Sequence, residues 1–185
     1  MGQTVFIDGG GNSYESNKKY AHLFSADRTY VFEPNPRFWD SYAVYEGPAL
    51  TLVRAAIWTL ACNRLLYLSP DPRAVASSLL QEKMCKVDGE IKHAWRDTPV
   101  LVPCVNFAKW LAEHVIDTDR VILKLDIEGA EIPVLWQLIE TGQIKQISEL
   151  YCEFHTDTIP GQRGVEYDKL QAALRAYGRE PKPWD

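Results

Sequence analysis

The chain has 185 residues, a typical length for one globular domain, and 46% of them are hydrophobic, which is enough for a single buried core. Its formal charge of −5 argues against a protein that binds nucleic acid, because such binding depends on clustered lysine and arginine. The four cysteines are widely spaced and include no C-x-x-C pair, so the sequence predicts reduced, intracellular thiols rather than a zinc cluster or a redox pair.

The sequence shows no pattern for membrane insertion or secretion. Its apolar runs fall short of the roughly 20 residues of a membrane span, and the N-terminus lacks the charged and then apolar layout of a secretory signal. We therefore expect a cytoplasmic protein without a membrane span. No motif decides whether it forms a homo-oligomer or is fused to other domains.

Strands and helices are predicted to alternate from the first residues onward. The stretches "TVFID" (4–8) and "TYVFE" (29–33) are short apolar strands, and the segment between them (14–24) is compatible with a helix. The stretch "ALTLVRAAIW" (49–58) is predicted to be a third strand. This order corresponds to the beginning of a βαβαβ unit.

The second half of the chain continues the alternation. The runs "DRVILKLDI" (119–127) and "ISELYCEFH" (147–155) are typical of strands buried on both faces of a parallel sheet. Between them, Pro133 near a first turn and Gly142 after the last apolar residue predict a helix. Apolar spacing predicts two more helices, one after an Asn106 cap and one ending before Gly178.

These elements predict an α/β fold: a mostly parallel, doubly wound sheet with helices on both faces, in a single domain over residues 1–185. The segment 69–99 fits no simple period, so we expect an irregular insertion that serves as a lid or an acceptor-binding loop. Ligands of such sheets bind beyond the carboxyl ends of the strands. This rule selects the glycine loop after "TVFID", "EPNP", "IWT", "DIEGAE" and His155.

The glycine loop favours a cofactor that carries an amino acid. Three glycines at 9–11 allow the backbone to turn tightly and to approach a ligand. A dinucleotide fingerprint would need glycine at position 14, where the chain has Tyr14. Asp8 would repel a pyrophosphate but would pair with an ammonium group.

Glu33 follows Asp8 by 25 residues, at the end of the second strand, where an acid in nucleotide-binding α/β folds accepts hydrogen bonds from ribose hydroxyls. An ammonium at one end and an adenosine ribose at the other describe S-adenosylmethionine. The alternative is that Asp8 and Glu33 only cap helices.

The stretch "VILKLDIEGAE" resembles the K-x-D-x-E-G-x-E signature of the FkbM-type family of S-adenosylmethionine-dependent O-methyltransferases. The stretches "IDGGGN", "FEPNP" and "AIW" resemble the family's cofactor loop, second-strand motif and third-strand segment, in the same order. The resemblance implies a Rossmann-like class I methyltransferase fold. Compared with that family, the chain looks trimmed at both termini, as in either a minimal enzyme or an excised domain, and a partner chain could compensate for the missing elements.

The resemblance also implies roles for single residues. Those expected to bind the cofactor are Asp8, Gly9, Gly10, Gly11 and Asn12 at the methionine part, Glu33 at the ribose, and Pro34, Ile57 and Trp58 at the adenine. Ser77 and Ser78 would either reach the cofactor or acceptor, or be solvated.

Methyl transfer to an oxygen also requires removal of the hydroxyl proton. His155 is the first choice for this general base, with Asp126 and Glu153 beside it on neighbouring strand ends. The alternative for His155 is a strand-end histidine bonded to the backbone. Asp126, Glu153 and His155 would otherwise bind Mg²⁺ or Mn²⁺, although a metal is not the expected arrangement.

Two acids and a lysine complete the predicted catalytic region. Lys124, Asp126 and Glu128 alternate to one face of the strand and its extension, so they are expected to form a buried ion network. Glu131 is predicted to be an acid in the first turn of the following helix.

The resemblance implies an acceptor hydroxyl on a sugar, a glycan or another small metabolite. Two other functions stay open. The chain could be a catalytically idle domain that binds the cofactor or assists assembly, although a binding scaffold needs no base. A NAD-dependent oxidoreductase is disfavoured by Tyr14, which replaces a fingerprint glycine.

Overall fold

A computed structural model of the chain describes residues 2–14, 18, 24–69, 76–87, 90–93, 99–162 and 164–183. The strands are β1 (Thr4–Gly9), β2 (Arg28–Phe32), β3 (Leu50–Val53), β4 (Ala56–Trp58), β5 (Cys62–Leu66), β6 (Met84–Val87), β7 (Glu90–His93), β8 (Val100–Asn106), β9 (Arg120–Leu125) and β10 (Ile147–Cys152). The α-helices are α1 (Phe107–His114), α2 (Glu131–Glu140) and α3 (Val165–Ala176), and two 3-10 helices span Pro36–Ser41 and Gln143–Gln146. Most of the helix predicted over 14–24 lies outside the described residues.

The main sheet has five strands in the order β10-β9-β1-β2-β3, and every neighbouring pair is parallel. All five carboxyl ends therefore lie at one edge, as predicted for an α/β fold. In the register of this sheet, Asp8 of β1 lies beside Lys124 of β9 and beside Val31 of β2.

The two faces of the sheet pack against different parts of the chain. Alternate residues such as Val5, Ile7 and Leu123 join the largest core cluster, which includes apolar side chains of α1, α2 and α3. On the other face, the buried ring of Phe6 lies 5.2 Å from that of Phe24, and buried Tyr42 packs with β2 and β3. Both faces are thus covered, as expected for a doubly wound sheet.

The predicted third strand is wrong in one respect, because 49–58 forms two strands in different sheets. The Ala55 amide donates to the Val53 carbonyl at 2.8 Å, and this tight turn separates β3 from β4. β4 belongs to a second sheet in the order β4-β8-β5. The sequence did not predict β5 and β8, since Pro103 interrupts the apolar pattern of β8 and β5 begins with exposed polar residues.

The three described helices agree with their predicted boundaries. The Asn106 side chain accepts a hydrogen bond from the Lys109 amide at 3.1 Å, which caps α1. Beyond α2 and α3, Gly142 and Gly178 have φ angles of 83° and 67°. Among the residues that the structure describes, no helix has the length and apolar character needed to cross a membrane.

The segment predicted as an irregular insertion is partly regular. β6 and β7 pair antiparallel, and before them Ser78 forms a bridge with Tyr67. Residues 70–75, 88–89 and 94–98 of this segment lie outside the described part of the chain.

Replacing Gly11 by alanine should destabilise the fold. A Cβ at this position would overlap Cγ1 of Val31 and would lie 2.9 Å from the Tyr42 hydroxyl, and both neighbours are fully buried. We expect urea titration to give a free energy of unfolding about 1–3 kcal/mol lower for Gly11→Ala. Gly47→Ala is the matched control, because nothing lies within 4 Å of its added Cβ. Equal stability of the two variants would contradict the described packing.

Candidate active site

Packing inside the protein accounts for the three consecutive glycines. A Cβ on Gly9 would approach Cδ1 of Ile57 to 2.9 Å. A Cβ on Gly10, whose φ is 85°, would overlap the carbonyl oxygen of Asp126. Gly11 is confined in the same way. Gly9 and Gly10 therefore allow the loop to lie against β9 and its extension, and Gly11 allows it to lie against Val31 and Tyr42, whether or not a ligand is present.

The amides of this loop bond to the protein rather than pointing to an open cradle. The amides of Gly10 and Gly11 both donate to the Phe32 carbonyl at 3.1 Å. The Ser13 amide donates to Oδ1 of Asn12 at 2.8 Å. A ligand carboxylate at this loop would consequently need other donors.

Lys124 connects the glycine loop to β9. Its ammonium lies 3.0 Å from Oδ1 of Asp8 and 3.6 Å from Oδ2 of Asp126, and it donates to the Gly10 carbonyl at 3.1 Å. The Asp8 side chain is only 2% exposed. Asp8 therefore supports the loop through Lys124, and direct contact with a ligand ammonium does not fit this burial. Of the predicted ion network, Lys124 and Asp126 are paired, whereas Glu128 contacts Lys83 and His155.

Glu33 connects the glycine loop to the segment after β2. Its Oε2 accepts from the Asn12 amide at 2.7 Å, and its Oε1 accepts from the Asn35 amide at 2.6 Å. Burial raises the pKa of the Glu33 carboxyl to about 8, and the two backbone hydrogen bonds oppose that rise. Each oxygen keeps a second lone pair, so Glu33 has acceptor capacity left for ligand hydroxyls.

The residues predicted at the adenine lie on both sides of the boundary between the two sheets. Pro34 is half-buried and follows Glu33 directly. Ile57 is 2% exposed and packs toward Gly9, whereas Trp58 is half-buried. The guanidinium of Arg64 lies 4.3 Å from the centre of the Trp58 ring, so one face of the indole is already stacked.

The loop after β9 has a strained backbone. Glu128 has a φ of 58°, which is unusual for a residue with a side chain, and Gly129 follows with 111°. The Ser78 hydroxyl donates to the Glu128 carbonyl at 2.7 Å, and the Lys83 ammonium contacts Oε2 of Glu128. Contacts from a distant segment therefore hold this conformation.

His155 is oriented by a fully buried carboxylate. Its Nδ1 lies 3.1 Å from Oε1 of Glu131, and that oxygen also accepts from the Ile127 amide at 2.9 Å. The Gly129 amide donates to both oxygens of the same carboxylate. Since an ionised carboxylate only accepts, a hydrogen bond to it requires a proton on Nδ1.

Nε2 of His155 faces the other predicted acids. It lies 3.1 Å from Oε2 of Glu128, 3.7 Å from Oδ1 of Asp126 and 3.8 Å from Oε1 of Glu153. Within the described part of the chain, Asp126, Glu128 and His155 place one ligand atom each within 4.8 Å of one another. Glu128 thus takes the place that the sequence assigned to Glu153, whose side chain is 53% exposed.

The structure brings the predicted cofactor and catalytic residues to one edge, where the Asp126 amide donates to the Gly9 carbonyl at 3.0 Å. Ser78 differs from its prediction: it is buried, and its hydroxyl also accepts from the Leu80 amide at 3.0 Å. The sequence missed two contributors. Glu131 is a first-turn acid as predicted, but it also holds His155. Lys83 had no sequence signal, because it reaches the site from a segment without a regular pattern.

The chain is similar to known methyltransferases of one family. No curated protein matches the chain significantly. A crystal structure of the methyltransferase FkbM from Methylobacillus flagellatus KT is similar over 76% of this chain and 30% of that protein, with 14% identity and a TM-score of 0.38. The family model of the methyltransferase FkbM domain matches residues 8–181. Because this match spans nearly the whole chain, the protein belongs to the FkbM methyltransferase family, and its mostly parallel sheet is that of a Rossmann-like methyltransferase.

Proposed function

We propose that the protein is an S-adenosylmethionine-dependent O-methyltransferase that acts on a hydroxyl of a sugar, a glycan or another small metabolite. The observation that carries this proposal is the imidazole of His155, held by buried Glu131 at Nδ1 and placed beside Asp126 at the carboxyl ends of two neighbouring strands. The family supports methyl transfer in general. The oxygen acceptor and the cofactor are our proposal.

The residues around the glycine loop fit the adenosine part of this cofactor. Once ionised, Glu33 offers the remaining lone pairs of its buried carboxylate to ribose hydroxyls. Pro34 and Trp58 offer partly exposed apolar surface for the adenine, whereas Ile57 is buried and would only support this surface from below. Asp8 would act indirectly, by holding Lys124 and thus the loop at the methionine part. The cofactor, when bound, supplies a methyl group on a sulfonium.

His155 would remove the acceptor proton. A general base near neutral pH must be held in one tautomer and in one orientation, and the bond from Nδ1 to Glu131 supports both. Nε2 would take the proton, and the adjacent carboxylates of Glu128 and Asp126 would stabilise the resulting imidazolium. In many enzymes a histidine base is likewise oriented by a third group, here the carboxylate of Glu131.

Partly exposed carboxylates favour a neutral acceptor. Glu153 and Asp126 keep 53% and 25% of their side chains exposed near Nε2. An acceptor that carries a phosphate or carboxylate would be repelled by these groups, whereas the hydroxyls of a neutral sugar would donate hydrogen bonds to them. The charge at the site therefore supports a hydroxyl-rich, uncharged acceptor.

Replacing His155 should separate chemistry from binding. With labelled cofactor and an acceptor found in a panel of sugars, glycans and small metabolites, we expect His155→Asn to lower the rate constant for methyl transfer by about 100- to 10,000-fold. Its calorimetric affinity for S-adenosylhomocysteine should stay unchanged. Glu131→Gln should slow transfer as well, because the orienting carboxylate is lost. Full activity of His155→Asn would remove His155 as the base.

The raised pKa of Glu33 predicts a pH dependence of binding. As pH rises from 6 to 9 through its pKa of about 8, the carboxyl ionises and becomes a stronger acceptor for ribose hydroxyls. Calorimetry should therefore show that the affinity of the wild type for S-adenosylhomocysteine, divided by that of Glu33→Gln, is higher at pH 9 than at pH 6. At pH 9 the variant should bind roughly 10- to 100-fold more weakly. A wild-type advantage that does not change with pH would contradict this role.

The same ionisation should affect stability with the opposite sign. The pKa of Glu33 is raised in the folded protein from an ordinary value of 4.5. The stabilising contribution of the raised pKa is therefore fully present below pH 4.5 and is lost as pH rises through about 8. Without ligand, the free energy of unfolding of the wild type relative to Glu33→Gln should fall between pH 5 and pH 9. Urea titrations at both pH values check this sign.

A further inference from the structure

Lys83 places a buried cation inside the acidic cluster. Its side chain is 3% exposed, and its ammonium contacts Oε2 of Glu128. Nε2 of His155 lies 3.1 Å from the same oxygen. One carboxylate oxygen is therefore shared between a lysine from the segment before β6 and the imidazole at the end of β10.

The segment that carries Lys83 is hydrogen-bonded to the loop after β9 and packs against it. The Ser78 hydroxyl donates to the Glu128 carbonyl at 2.7 Å, and the side chain of Leu80 packs next to Gly129. On the other side of Lys83, the Met84 amide donates to the Thr158 carbonyl at 2.6 Å. These contacts hold the backbone on both sides of Lys83 in the position from which its ammonium reaches Glu128.

The charges around His155 explain what this cation does. The carboxylates of Asp126, Glu128 and Glu131 all lie within 3.7 Å of an imidazole nitrogen. Lys124 binds Asp126 on the side of the glycine loop. Glu128 receives its ammonium partner from Lys83, and closely spaced carboxylates need such a partner to stay ionised together.

We propose that Lys83 is a positioning residue whose ammonium serves as the built-in cation of the cluster Asp126, Glu128 and His155. It holds the Glu128 carboxylate beside His155, and it contacts the same carboxylate that a divalent cation bound to these three side chains would use. Its contribution to catalysis rests on the proposed methyl transfer, whereas its role as the cation of the cluster does not.

The first test measures metal binding, which needs no acceptor and no activity. Lys83→Met keeps most of the side-chain volume and removes the charge, so the three ligands become available to a cation. We expect calorimetry and electron paramagnetic resonance to show Mn²⁺ binding to Lys83→Met and none at the same concentrations to the wild type or to Lys83→Arg. Adding Asp126→Asn to Lys83→Met should weaken this binding about 10- to 100-fold.

The second test measures catalysis under the same conditions without metal. Lys83→Met should lower kcat for methyl transfer, because Glu128 beside His155 loses its ammonium partner, and it should leave the affinity for S-adenosylhomocysteine unchanged. Lys83→Arg should recover much of the lost kcat. Lys169→Met is the control, since that lysine is exposed and its ammonium pairs with Glu166 of its own helix.

The outcomes separate this inference from the proposed function. Mn²⁺ binding by the wild type as tight as by Lys83→Met would overturn the role of Lys83, and so would a Lys83→Met variant that folds and binds no Mn²⁺. If Lys83→Met gains the metal but the wild type methylates no acceptor, Lys83 keeps its place as the cation of the cluster and the proposed function fails.

Discussion

The site depends on the buried ammonium of Lys124. It lies between Asp8 and Asp126 and also donates to the Gly10 carbonyl, so one side chain connects the loop after β1 with the loop after β9. Asp8 and Lys124 are direct neighbours in the register of two parallel strands, which fixes their distance by backbone geometry. Removing one partner of such a buried pair costs about 3–5 kcal/mol, because the other charge is left without compensation.

The two halves of the site are built on this connection. On one side, Glu33 ties the glycine loop to the end of β2 through two backbone amides. On the other side, Glu131 ties the strained loop at Glu128 to His155. Each half uses a buried carboxylate that accepts backbone hydrogen bonds, so both are organised before a ligand binds. Such preorganisation is what methyl transfer requires, since little other than positioning and proton removal remains for the protein to supply.

Local pattern was sufficient to predict most of the fold. The five strands of the main sheet and the three described helices follow from apolar periodicity, caps and glycine stops, and the strand-end rule selected residues that the structure brings together at one edge. The break at Ala55 was missed because β-favouring residues lie on both sides of Arg54 in the run 49–58, and only the turn separates its two strands. The partners within the site were harder to predict. Glu131 and His155 are 24 residues apart, and Lys83 comes from a segment without periodicity, so only the tertiary fold brings them together.

The central claim is that the carboxyl edge around the glycine loop binds S-adenosylmethionine. Hydrogen–deuterium exchange of the wild type, with and without S-adenosylhomocysteine, tests it most directly because it localises binding without an acceptor. The account predicts slower exchange in peptides that contain residues 9–12, 33–35 and 56–58. Absence of protection there, or protection confined to the surface groove lined by Pro133, Trp136 and Lys169, would contradict it.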